Sequence, residues 1–190
     1  MANERDSLLK KILQKSLSEE GVNAFLSYTI SDEDIEFIKS CSSSVLTKIS
    51  PKAFDCAILS ALLGTIIQDN SNIPVVVIAG HFDYFDRRIF DCKGPIPYTV
   101  KKTLIKEIWD GHCWIELGGI IIDISIFRTV YYGDVPPLFR EKIIKTYGEN
   151  HGMILASPLN FIKAGFNYTP CYCLTQDQLN GLLKGAKICN

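Results

Sequence analysis

His112-Cys113-Trp114-Ile115-Glu116-Leu117-Gly118-Gly119-Ile120-Ile121-Ile122-Asp123 is the stretch that decides the fold. Two short β-prone runs flank a Gly-Gly pair, the signal of a two-residue hairpin. Pairing Leu117 with Ile120 sets Trp114 opposite Asp123 and His112 opposite Ser125. Side chains alternate along a strand, so His112, Trp114, Asp123 and Ser125 fall on one face. His112 and Asp123 become diagonal neighbours within mutual reach. A carboxylate so placed holds an imidazole in one tautomer, and a histidine so oriented asks for a nucleophile. Cys56, at the head of an apolar helix, is the candidate. Trp114 shares the face as a shield, a core residue or a substrate contact. Glu116 reads as a rim group, or as the substitute orienting acid if the register shifts by two.

Upstream, Ser50-Pro51 or Asp55 opens a helix that ends near Asn70 to Asn72. Ala57, Ile58, Leu59, Ala61, Leu62, Leu63, Ile66 and Ile67 leave it almost no polar face, which predicts the buried centre of a domain. Pro74 to Gly80 is a buried strand by its β-branched run. Residues 81–100 read as a long excursion; its first part, His81 to Arg88, includes Tyr84 as a candidate substrate contact. Helices are expected over about 101–108 and from Pro136 to Tyr147, and a last strand from Tyr168 to Leu174. Thr175 with Gln178 resembles a capping box for a final helix to about Leu183. Before Cys56, helices are expected over 5–17, about 18–28, and from the Ser31/Asp34 cap to Lys48. Helices first, then strands following one another as hairpins, define an α+β fold. Residues 1–48 form an N-terminal helical extension and 49–190 the catalytic domain, together one compact unit.

Composition narrows the function. Hydrophobic residues make up 47% and charged residues 22%, which is ordinary for a globular chain. A net charge of −1 and no basic run longer than a pair such as Lys101-Lys102 argue against nucleic acid as a partner. No apolar run approaches the roughly 18 residues of a membrane span, and Met1 to Asp6 is too polar for a secretory signal. The seven cysteines (Cys41, Cys56, Cys92, Cys113, Cys171, Cys173, Cys189) are odd in number and follow no disulfide spacing. They read as reduced thiols of a cytoplasmic protein, with delivery by a dedicated secretion machine left open.

Thiolate chemistry needs a thiol of lowered pKa, a base beside it, and a group that orients the base. A cysteine in the first turn of a helix sits near the positive end of the macrodipole, which favours the thiolate. In chain order Cys56, His112 and Asp123 meet these needs. Cys56 to Leu63, Ile73 to Gly80, His112 to Leu117 and Ile122-Asp123 together resemble the transglutaminase-like superfamily, and are similar to the related arylamine N-acetyltransferases. The resemblance covers about residues 50–126. It implies a papain-like core: a central helix beginning with the nucleophile, packed on an antiparallel sheet that carries the base and the acid. On that basis Cys56 is the nucleophile, His112 the base and then acid, and Asp123 the orienting carboxylate. The implied activity is acyl transfer through a thioester on an amide or carboxamide of a protein or peptide, of peptidase, deamidase or transglutaminase type. Neither a metal nor a cofactor is required.

Two departures motivate an alternative. Asp55 stands beside the thiol, and no upstream Gln offers an oxyanion donor. A catalytically inert binding module of the same fold is therefore the second reading. A structural zinc site built from Cys171 and Cys173 with Cys92, Cys113, His81 or His112 is the third, although no CxxC pair occurs.

Overall fold

Several of the helices open on side-chain caps. A computed structural model describes residues 2–96 and 109–188. Helix α1 (Ala2–Ser16) leads into α2 (Glu19–Ser27), where the Ser18 side chain accepts from the Gly21 N–H at 3.2 Å. Helix α3 (Asp32–Lys48) opens on the expected capping box: the Ser31 hydroxyl accepts from Asp34 N at 3.1 Å, and the Asp34 carboxylate accepts from Ser31 N at 2.8 Å. Helix α4 (Cys56–Asn70) follows a short loop, with Asp55 at its N-cap but no side-chain capping bond.

Four strands follow, and then the later helices and strands. They are β1 (Val76–Tyr84), β2 (Arg87–Phe90), β3 (His112–Leu117), β4 (Ile120–Asp123), α5 (Ile126–Tyr132), α6 (Pro137–Tyr147), β5 (Ile154–Ala156), α7 (Pro158–Lys163), β6 (Phe166–Cys173) and α8 (Gln176–Ile188). The hairpin β3/β4 has the register its glycines require, Leu117 opposite Ile120 and Ile115 opposite Ile122. Both turn glycines have positive φ, 41° at Gly118 and 80° at Gly119. The Thr175/Gln178 box closes in both directions, at 2.9 and 3.3 Å, and opens α8.

All pairings in the sheet are antiparallel. Strand β1 is its axis. One edge pairs first with β3 and then with β2, and the other edge pairs with β6. Strands β4 and β5 extend the sheet beyond β3. Alternation along β3 divides the core in two. Trp114 joins Leu9, Leu13, Ile78, Phe127, Phe139 and Phe161, from α1, β1, α5, α6 and α7, on one face. Cys113, Ile115 and Leu117 join Ile38, Leu59, Leu63 and Leu182, from α3, α4 and α8, on the other. The chain is thus α+β, with helices on both faces of an antiparallel sheet. Helix α1 packs directly on β6, so the N-terminal helices share the core of the rest. Among the described residues, no helix is long and apolar enough to cross a membrane.

Several expectations need correction. The polar stretch after Gly80 is not an excursion at its start: β1 runs on to Tyr84 and turns back as β2. Phe82 is buried while Arg87 and Arg88 are exposed, so charge there marks the solvent side of a hairpin. Ser125 does not continue β4; with ψ −23° it turns the chain into α5 and so does not lie across from His112. The short elements α5, β5 and α7 were not expected. Helix α8 runs past Leu183 to Ile188. The helix expected over 101–108 lies outside the described residues.

Candidate active site

The loop before α4 is shaped by two residues. Phe54 takes a left-handed backbone (φ 62°), which turns the chain sharply into the helix. Arg128, on α5, clasps the end of α3 and that loop. Its guanidinium donates to the carbonyls of Leu46 (2.7 Å), Ile49 (2.8 Å) and Ser50 (3.3 Å). Cys56 is the first residue of α4 and is buried. Its Sγ lies 4.0 Å from the carbonyl of Gly111, and one helical turn on, Ser60 Oγ donates to the Cys113 carbonyl at 3.1 Å. The first turn of α4 thus rests on the start of β3. Asp55, suspected of opposing a thiolate, has its carboxylate 3.7 Å from Lys52 Nζ.

His112 begins β3 opposite Gly80 of β1. A Cβ at Gly80 would sit 2.1 Å from the Thr169 carbonyl oxygen and 2.6 Å from the Trp114 ring, so only glycine fits there. The imidazole Nε2 is 2.6 Å from Asp123 Oδ2. Nδ1 has no hydrogen-bond partner, so it is the ring position open to Cys56, whose ionisation the imidazole shifts. Phe90 of β2 stacks on the ring at 4.9 Å between centroids and 13° between planes, and Phe54 meets Phe90 edge-on.

Asp123 is fully engaged. Oδ2 also accepts from the Tyr168 hydroxyl at 2.9 Å. Oδ1 accepts from Ser125 N (2.8 Å), Ser125 Oγ (2.9 Å) and Ile126 N (2.9 Å). An Asp inside a β-branched strand is costly unless partnered, and here every partner is supplied.

The electrostatics follow from these contacts. A hydrogen bond with the Cys113 thiol, together with the hydrogen bond and charge of His112, outweighs burial and pulls the Cys56 thiol down to about 5. Burial alone would lower His112. The charge and hydrogen bond of Asp123, and then Cys56, win and raise it to about 10. Burial would raise Asp123, but His112 and the donors around it hold it below the usual carboxylate range. Between those two values the site favours thiolate, imidazolium and carboxylate in a row.

His112 and Asp123 therefore pair as their register predicts, and Cys56, at the start of α4, is near enough for the imidazole to shift its ionisation. The other expected site residues fall elsewhere. Trp114 is fully buried, its indole N–H donating to Glu116 Oε1 at 2.7 Å. Glu116 is not a rim group. It is buried and ion-paired with Arg5 of α1, which also donates to the Tyr168 carbonyl at 2.9 Å. Tyr84 packs its ring on Phe139 (4.9 Å) and Phe166 (5.5 Å). Among the described residues, no three or more His, Cys, Asp or Glu side chains are grouped to hold a metal ion. Instead, His81 Nδ1 accepts from Cys92 N at 3.0 Å.

Four contributors were missed: Cys113, Ser125, Arg128 and Tyr168. The Asp-x-Ser spacing is a local turn signal that points to Ser125. Strand alternation places Cys113 on the α4 side. Nothing local flags Tyr168 or Arg128, which reach the site from distant elements. No family model, curated protein or solved structure matches the chain.

Proposed function

We propose that the chain is a cysteine-dependent acyl-transfer enzyme with a papain-like, transglutaminase-like core. Its substrate would be an amide or carboxamide of a protein or peptide. The observation that carries this reading is the buried His112–Asp123 pair, its imidazole held by the acid at 2.6 Å and its other nitrogen unpartnered, with Cys56 at the head of α4 near enough to be shifted by it. In this mechanism the Cys56 thiolate attacks the carbonyl carbon. His112 gives its proton to the departing amine or ammonia, leaving an acyl-thioester. The neutral imidazole then takes a proton from water, an amine or another thiol as that acceptor attacks the thioester and releases the sulfur. Asp123 keeps the ring in register throughout, and the Cys56 backbone N–H at the helix start is a candidate oxyanion donor.

The test is alkylation of the reduced chain with iodoacetamide across a pH series, each cysteine followed by peptide mapping. Cys56 should label with a rate limb near pH 5, far ahead of Cys41, Cys92, Cys113 and Cys173, whose thiols burial raises. If all of them label alike with a limb near their ordinary value, the enzyme reading fails. The second reading, an inert binding module of the same fold, draws on the closure of the site: Cys56 is 6% exposed and His112 0%, beneath Phe90. It predicts a reactive-looking pair that never turns over acyl substrates.

A further inference from the structure

We propose that Cys56 and Cys113 form a reversible dithiol–disulfide pair, in which Cys113 resolves the Cys56 sulfenic acid left by a hydroperoxide. The inference rests on the acyl-transfer reading for the thiolate at Cys56, and adds a modification site to it. Its basis is placement. Along β3, Trp114 turns to one face of the sheet and Cys113 to the other, where α4 lies. Cys56 and Cys113 belong to the same packed cluster. The first turn of α4 is pinned over this strand on both sides of Cys113, by the Cys56 approach to the Gly111 carbonyl and by the Ser60 bond to the Cys113 carbonyl. The two thiols are close enough that each shifts the ionisation of the other. Triad chemistry as drawn needs no second sulfur there.

This proximity makes the two thiols unequal. Burial, followed by the neighbouring Cys56, pushes Cys113 well above the ordinary thiol range, so it stays protonated while Cys56 ionises. Only the thiolate attacks peroxide. The Cys56 sulfur takes one oxygen from the hydroperoxide, the O–O bond breaks, and the alkoxide or hydroxide leaves with a proton from the His112 imidazolium. The Cys113 sulfur then attacks the sulfenyl sulfur, and its proton departs with the hydroxyl as water. In sum, two thiols and one hydroperoxide give one disulfide, one alcohol (or water) and one water. The disulfide blocks the nucleophile and spares it the irreversible sulfinic step; a dithiol reductant restores it. A second neighbouring pair, Cys92 and Cys171, serves as an internal control, since no histidine lowers the Cys92 thiol and burial raises it to about 12.

The experiment titrates the reduced full chain with hydrogen peroxide, blocks remaining thiols with N-ethylmaleimide, and maps peptides without reduction. One equivalent should remove two thiols and yield a Cys56–Cys113 linked peptide that dithiothreitol reverses. With Cys113→Ser, dimedone should trap sulfenic acid at Cys56, and excess peroxide should carry it to the sulfinic acid. Wild-type oxidation that ends at Cys56 sulfinic acid without the link, or that links only Cys92 and Cys171, overturns the proposal. The wild-type mapping needs no variant to fold. The iodoacetamide series on the same reduced sample separates the two readings. A limb near pH 5 without the link defeats the pair alone. A link without that limb supports the pair and defeats the acyl-transfer reading.

Discussion

At the residue scale, Asp123 governs the site because both of its oxygens are used. Asp123→Asn removes the charge behind His112 and turns an amide N–H toward groups that are themselves donors. The expected loss is on the order of 3–5 kcal/mol, read by urea denaturation, with the Cys56 labelling limb moved upward. Tyr168→Phe takes away one donor and leaves His112 in place. It should cost about 1–3 kcal/mol and move the limb less. The pH dependence of stability has a definite sign. The Cys56 thiol is depressed from 9.0 to about 5, so its contribution is complete above 9 and disappears as pH falls toward 5. His112 is raised from 6.5 to about 10, so its contribution is complete below 6.5 and disappears as pH rises toward 10. Together they give a plateau from about pH 6.5 to 9, rising into it from pH 5 and falling from it above 9. Urea midpoints across pH check this, and Cys56→Ala should abolish the rise between pH 5 and 6.5.

At the element scale, the β3/β4 turn offers a paired prediction. Both glycines have positive φ, but a Cβ at Gly119 meets nothing within 4 Å, while one at Gly118 would lie 2.9 Å from the Tyr28 carbonyl oxygen. Gly119→Ala should therefore cost about 1 kcal/mol for backbone strain alone, and Gly118→Ala more, by urea midpoint. This hairpin was legible because two adjacent glycines fix both turn and register. The turn at Phe85-Asp86 was not, since Phe85 adopts a φ of 51° without glycine to announce it. Capping boxes at Ser31 and Thr175 declared the starts of α3 and α8, and the missing polar face of α4 announced its burial. Strand β5 spans three residues and α7 six, too few for any period to show. The pairing of His112 with Asp123 could be read because one turn sets it. The Tyr168 hydroxyl comes from β6, and only the folded sheet brings it there.

At the scale of the whole molecule, α1 and β6 are joined through Arg5. Its guanidinium is 8% exposed, pairs with Glu116, which is 2% exposed, and holds the Tyr168 carbonyl. Arg5→Met leaves a buried carboxylate without its cation. The expected loss is about 3–5 kcal/mol, and adding Glu116→Gln should recover part of it, as measured in a double-mutant cycle. The apolar stripe of α1 was plain in the sequence, but the surface it covers was not, because that surface is assembled from strands more than a hundred residues away. During synthesis this has a temporal effect. Residue 5 emerges long before residue 168, so α1 must wait on the ribosome, its oily side unsatisfied, until β6 has cleared the exit tunnel. Late completion of this kind prolongs the exposure of the apolar side of α1 until β6 has been made.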